Sequence, residues 1–170
     1  MSVVETEPAP LPPRLLCAIA IDHAFRARLD DVVEPRAGER TFARVALGPN
    51  HDVWLIRWGP GSGTALHDHG GSNGALYVLE GDLVEHRPNP AGVGRPLLRE
   101  LRESEYRPMS AAHVHSVANE SRLLAASIHA YSPPLGTMQH YEQTDDSQLR
   151  PLHVEVVDPG TVSAYGRAHD

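Results

Sequence analysis

Apolar positions along the chain change rhythm near residue 35. Between residues 13 and 33, Leu15, Leu16, Ile19, Ala20, Phe25, Leu29 and Val32 recur largely at steps of three and four. That spacing predicts one or two helices, with Asp22 as a break or cap. Beyond Pro35 the apolar runs become short and are separated by Gly, Pro, Asn and Asp. They predict strands over 40–46, 53–58, 65–69, 74–79, 83–87, 97–101, 106–109, 114–119, 123–131, 139–142 and 152–157. Many short strands punctuated by turn residues imply an antiparallel sandwich or barrel and argue against βαβ units. Leu79-Glu80-Gly81-Asp82-Leu83 has the turn chemistry of a hairpin, and 88–96 reads as a surface loop. The expected organisation is a single all-β domain over 13–157, a small jelly-roll-like barrel with a helical prefix at 13–33. Loose tails are expected at 1–12 and 158–170.

Composition narrows the function classes. At 170 residues the chain suits one domain, and 41% apolar residues exclude disorder of the whole. The net charge is −7 with no Lys/Arg cluster, so neither nucleic acid nor an anionic membrane is an expected partner. Residues 1–13 are acidic and proline-rich, unlike a signal peptide, and no apolar run is long enough for a spanning helix. The single cysteine, Cys17, excludes an intrachain disulfide. A cytoplasmic protein, monomeric or a small homo-oligomer, is the expectation.

The chemistry lies in the histidines. His67 and His69 stand two apart, and side chains two apart on an extended chain share a face. His115, from a later strand, completes a facial set of neutral imidazoles that leaves coordination positions open. Such a set suits iron(II) handling a substrate and dioxygen. His113 shares the His115 face and rivals it for the third place. Downstream, Ser127, His129 and Tyr131 alternate along one strand and face one side, with Ile128 and Ala130 on the other. Burying a hydroxyl, an imidazole and a phenol costs several kcal/mol unless they satisfy one another. Asp68 points away from its two neighbours. His23, His51, His86, His140, His153 and His169 belong to no motif and are expected at the surface.

The stretch Gly61-Ser-Gly-Thr-Ala-Leu-His67-Asp-His69-Gly-Gly-Ser-Asn-Gly74, followed by Gly81, resembles the first cupin signature, with Gly74 where that signature has a glutamate. Pro108, His115 and Asn119 resemble a looser second signature. A cupin with three histidines and no glutamate resembles the thiol dioxygenases. Ser127-Ile-His129-Ala-Tyr131-Ser132-Pro133-Pro134 is very similar to the Ser-x-His-x-Tyr-Ser-Pro-Pro segment of the cysteine dioxygenase type I family. The resemblance runs over about residues 42–141.

The resemblance implies a non-haem iron(II) thiol dioxygenase that oxidises L-cysteine with O2 to cysteine sulfinic acid. It makes His67, His69 and His115 the iron ligands, and Ser127, His129 and Tyr131 a hydrogen-bonded relay ending at the metal. Asn119 and the distance to Ser127 place the third ligand at His115. Gly74 stands where some members carry a cysteine cross-linked to the tyrosine, so Tyr131 is expected as an unmodified phenol, as in bacterial-type members. Phe42-Ala43-Arg44-Val45 resembles the family's Tyr-x-Arg-Asn segment, which makes Arg44, beside Phe42, the expected partner of a substrate carboxylate. Arg40 and Arg57 are lesser candidates. The Gly-Gly-Ser stretch after His69 also resembles 3-mercaptopropionate dioxygenases. Those enzymes usually place an arginine where this chain has His140, so cysteine is the expected thiol and 3-mercaptopropionate the alternative. A non-catalytic metal-binding cupin is the reading from a different class.

Overall fold

The computed structural model describes residues 9–89, 95–144 and 148–157, and the backbone of 165–166. The helical prefix becomes α1 (Pro13–Ala24) and a 3-10 turn (Leu29–Asp31). Pro13 suits the first turn, where its missing N–H would have no partner in any case. Asp22 does not break the helix. It lies inside α1 and pairs with Arg26 one turn on, at 2.8 Å. Leu16, Cys17, Ala20 and Ala24 form the buried face, whereas Leu15 and Phe25, which share the apolar rhythm, are exposed.

The strands are β1 (Glu39–Leu47), β2 (Asp52–Trp58), β3 (Asn73–Glu80), β4 (Leu83–Arg87), β5 (Leu97–Leu101) and β6 (Tyr106–Met109). They continue as β7 (Ser116–Ala118), β8 (Ala125–Ser132), β9 (Thr137–Gln143), β10 (Leu149–Val156) and β11 (Tyr165–Gly166). All the pairings among the described residues are antiparallel. Six strands form one sheet in the order β11-β1-β2-β8-β3-β6, three form a second as β5-β4-β7, and β9 pairs with β10. The segment 79–83 is not a hairpin. Glu80 ends a strand of the first sheet and Leu83 begins one of the second, so the turn is a corner between sheets. Gly81 makes that corner at φ 72°, where a Cβ would come within 2.8 Å of the Leu124 carbonyl oxygen.

Two apolar clusters sandwich the larger sheet. Inside the barrel, Trp54, Trp58, Leu76 and Tyr131 meet Leu83, Leu101 and Val117 of the smaller sheet. On the outer face, Val53, Leu55, Ala75, Ile128 and Ala130 are covered by Leu16, Cys17 and Ala20 of α1. Strand β8 is therefore buried along its whole length, and its alternation sorts Ser127, His129 and Tyr131 from Ile128 and Ala130. Burial of each large aliphatic side chain contributes about 1.5–3 kcal/mol. Residues 9–12 of the expected tail are not loose at Leu11: its N–H donates to Ser132 Oγ at 2.8 Å, and its carbonyl accepts from Asn73 Nδ2 at 3.0 Å. Most of the expected tail 158–170 lies outside the described residues, but its Tyr165–Gly166 adds a short edge strand to β1. Residues 1–8, and 90–94 of the expected loop 88–96, also lie outside them.

Candidate metal centre

The connection between β2 and β3 carries the first two histidines, and it is not a strand over 65–69. Gly61, Gly70 and Gly71 turn it at φ 72°, 59° and 89°. It is held instead by single bridges to two neighbours. The His67 N–H donates to the His115 carbonyl at 2.9 Å, and the His115 N–H donates back at 3.0 Å. On the other side, Asp68 N–H donates to the Gln139 carbonyl at 3.0 Å and Tyr141 N–H to the Leu66 carbonyl at 2.8 Å. The Asp68 carboxylate accepts the Tyr141 hydroxyl at 2.6 Å and the Gly70 N–H at 2.9 Å, so it clamps the loop to β9.

His67, His69 and His115 are all buried and bring one donor atom each to within 4.8 Å of the others. His67 Nδ1–H donates to the Ala65 carbonyl at 2.8 Å, and His115 Nδ1–H donates to Glu85 Oε1 at 2.9 Å. In both rings Nε2 is left with its lone pair. His69, fully buried, has neither ring nitrogen in a hydrogen bond among the described residues. An unsatisfied buried imidazole is costly, and a metal ligated by one nitrogen offsets that cost. Burial first, and the neighbouring histidines second, press the pKa values of His67 and His69 well below the ordinary range. Burial also lowers that of His115, against the pull of Glu85. The three therefore present neutral imidazoles, the form that binds a metal. With no thiolate or carboxylate among them, they fit a divalent transition ion with open positions.

His113 does not join this group. Its Nε2–H donates to Glu85 Oε1 at 2.6 Å. Glu85, the strand residue that meets both histidines, is 1% exposed, and Arg107 Nε–H donates to its Oε2 at 2.8 Å. The sequence held a signal for it, since Glu85 shares its strand face with the buried Leu83. An acid on an apolar face needs partners.

The second cluster forms a connected chain with a direction. Trp58 Nε1–H donates to Ser127 Oγ at 2.9 Å, Ser127 Oγ lies 3.0 Å from His129 Nε2, and His129 Nδ1 lies 3.0 Å from the Tyr131 hydroxyl. The indole can only donate. Ser127 is fully buried, so its own proton must go to His129 Nε2 or be left unsatisfied. Burial drops the His129 pKa to about 3, so the ring is neutral and its one proton sits on Nδ1, donating to Tyr131. The Tyr131 proton is thereby left to point elsewhere. Burial first, then Asp52, raises the Tyr131 pKa well above the ordinary phenol range, which keeps that proton in place. Gly74 pairs with Tyr131 across β3 and β8, and a Cβ there would lie 3.1 Å from Tyr131 Cδ1 and 2.9 Å from Met109 Cε. The chain's single cysteine, Cys17, lies on the buried face of α1 in the outer cluster, so Tyr131 has no thiol beside it.

A cavity of about 130 Å3 opens beside these groups, with His67, His115, His129 and Tyr131 in its wall. Arg40, Phe42, Trp54, Leu135, Met138 and Glu155 are among its other lining residues. Arg44 is not among the lining residues; its guanidinium lies 5.9 Å from the Trp54 ring centroid, over its face. Arg57 is on the outer face, donating to the Val32 carbonyl and to Glu34 Oε2, both at 3.0 Å. His140 is buried, not at the surface. Its Nε2–H donates to Glu155 Oε2 at 2.8 Å, and its ring centroid lies 6.0 Å from that of His67.

The family model for cysteine dioxygenase type I matches residues 34–144. Cysteine dioxygenase type 1 of Rattus norvegicus and that of Homo sapiens are each 31% identical over 99 residues, covering 54% of this chain and 50% of theirs. That of Danio rerio is 31% identical over 102 residues, with the same coverage. The chain thus spans about half the length of the curated relatives it matches. A Klebsiella pneumoniae protein with a double-stranded β-helix domain superposes with a TM-score of 0.54 at 16% identity, covering 75% of this chain and 96% of that one. The polyketide cyclase RemF of Streptomyces resistomycificus superposes with a TM-score of 0.55 at 18% identity, covering 72% and 88%. At such identities these two structures speak for the cupin-type fold alone. The matched stretch contains every histidine of the metal group and the whole Ser127–His129–Tyr131 chain, and the protein belongs to the cysteine dioxygenase type I family.

Proposed function

We propose that this protein is a non-haem iron(II) thiol dioxygenase, which adds both atoms of O2 to a small thiol and releases the sulfinate. One observation carries the reading. His67 and His115 of the neutral imidazole triad share the wall of one cavity with a phenol whose proton is free to be donated, and the third imidazole, His69, lies against that phenol with ring centroids 5.0 Å apart. His67, His69 and His115 would hold the iron. Bound there, iron(II) would supply open positions for a thiolate and for dioxygen and a path between them for the four electrons that sulfur gives up and O2 accepts.

The chain's own groups account for the rest. Tyr131, oriented by His129 and Ser127, donates its hydrogen bond into the cavity, where oxygen gains negative charge during the reaction. Phe42, Trp54, Leu135 and Met138 exclude water from that space. Arg40 is the lining arginine, and we assign to it the substrate carboxylate that Arg44 was expected to bind. A planar guanidinium holds a carboxylate by two parallel hydrogen bonds and so sets its orientation. The cavity also carries Glu155, which suits an amino group, and L-cysteine combines thiol, amine and carboxylate. The largely apolar wall supports the second reading, 3-mercaptopropionate, which lacks the amine. A purely binding cupin has no use for a directed chain of four buried hydrogen-bonding groups ending in a phenol.

Oxygen uptake by the iron-loaded protein tests this, with cysteine, 3-mercaptopropionate, cysteamine and mercaptosuccinate side by side. Uptake is expected with the carboxylate-bearing thiols and weak with cysteamine. No thiol-dependent uptake with any of them would contradict the assignment.

A further inference from the structure

We infer that Glu85 is a positioning residue for the metal, acting through His115: a buried carboxylate that holds the His115 ring and raises its strength as a donor. The inference rests on the reading of His115 as a ligand. Three observations converge on it. Glu85 lies on β4, in the smaller sheet, and is 1% exposed. Its Oε1 accepts both from His115 Nδ1–H at 2.9 Å and from His113 Nε2–H at 2.6 Å, while its Oε2 accepts from Arg107 Nε–H at 2.8 Å. Each carboxylate oxygen is thus committed, and the carboxylate can neither swing away nor reach the cavity.

The same three residues, Glu85, His113 and His115, cluster closely enough to suggest a metal site of their own. The Arg107 guanidinium on Glu85 opposes that. It places a fixed positive charge on the same carboxylate that a second cation would need, and Oε1 is already taken by two imidazole N–H groups. The cluster is better read as support for the first site. A carboxylate accepting from a ligand imidazole fixes its tautomer, sets the plane of its ring and makes the metal-facing nitrogen more basic. Gly74, the position at which a cupin glutamate would ligate directly, has no side chain. Glu85 restores a negative charge one residue further out, through His115. His113 and Arg107 keep that charge in place.

Glu85→Gln keeps the shape and removes the charge. Iron(II) affinity, measured by anaerobic titration against a competing chelator, should fall about 10- to 100-fold. The iron(III)/iron(II) potential should rise, because the more basic ligand favours the ferric ion. Glu85→Asp should recover part of both. Thermal melting of the metal-free proteins separates this from general loosening: a purely structural Glu85 would lower the melting temperature and leave affinity and potential unchanged. If Glu85→Gln fails to fold, His113→Gln removes one clamp from the carboxylate and should give a smaller change of the same sign. Wild-type affinity and potential in both variants would overturn the inference and leave the metal site standing. Absence of iron binding by the wild-type protein would overturn both.

Discussion

Trp58 illustrates how a single donor-only atom sets the chemistry of groups it does not touch. Its Nε1–H consumes an acceptor on Ser127, which commits Ser127 to donate to His129 and His129 to donate to Tyr131. Tyr131→Phe removes the terminal donor and should lower kcat by roughly 100- to 1,000-fold, as loss of a directed donor to developing negative charge does. Trp58→Phe leaves the phenol but frees Ser127 to reverse. At about 1 kcal/mol for the lost bond, kcat should fall about five- to tenfold with KM little changed. Steady-state kinetics on both variants checks this, and equal losses would show that Trp58 does more than set direction. The two arginines separate in the same way. Arg40→Ala should cost about 2–5 kcal/mol on cysteine, which is about thirty-fold to several thousand-fold in kcat/KM, and should leave cysteamine nearly unaffected. Arg44→Ala should change all thiols alike. The choice between them was not legible in the sequence, because Arg40 and Arg44 share one face of β1 in an unbroken register with Trp58 and Trp54, and only the fold shows which end of that face reaches the cavity. The grouping of His67, His69 and His115 was visible in motif spacing, although the strand alternation expected at 65–69 is not what brings them together. His140 owes its burial to partners far along the chain, which no local pattern reports.

At the scale of elements, β8 ties the site to the fold. It lies between β2 and β3, gives its inner face to the Ser127–His129–Tyr131 chain, and its outer face to α1. The helical prefix is thus a cover over the back of the sheet that presents the relay. Leu16→Ala, at a fully buried position of α1, should destabilise the protein by about 2–5 kcal/mol and lower the melting temperature by roughly 4–20 °C. Iron stoichiometry should be unchanged, because Leu16 packs on the far side of the sheet from the histidines. Loss of iron binding in the folded variant would mean that α1 shapes the site directly. Strand rhythm foretold most of these elements. It failed at 65–69, where glycines and isolated bridges replace a ladder, and at 79–83, where hairpin-like residues make a corner. Turn chemistry states that the chain reverses or bends, and pairing decides which.

Over the whole molecule, the two apolar clusters hold the barrel together without the metal group, which lies at the junction of the β2–β3 connection, β7 and β9. Removal of iron by a chelator should therefore leave the protein folded, with unchanged far-ultraviolet circular dichroism. The melting temperature of the loaded protein should rise with free iron concentration, as for any ligand that binds only the folded state. Unfolding on chelation would make the metal structural, in the manner of small zinc domains. Transfer of dioxygen to sulfur is the activity proposed for this neutral imidazole triad and directed phenol. Turnover of the iron-loaded protein with cysteine under 18O2, in ordinary water, measures that transfer directly by mass spectrometry of the product. The account predicts a sulfinate in which both oxygen atoms carry the label. Product oxygen drawn from water, or a disulfide formed with no labelled sulfinate, would contradict it.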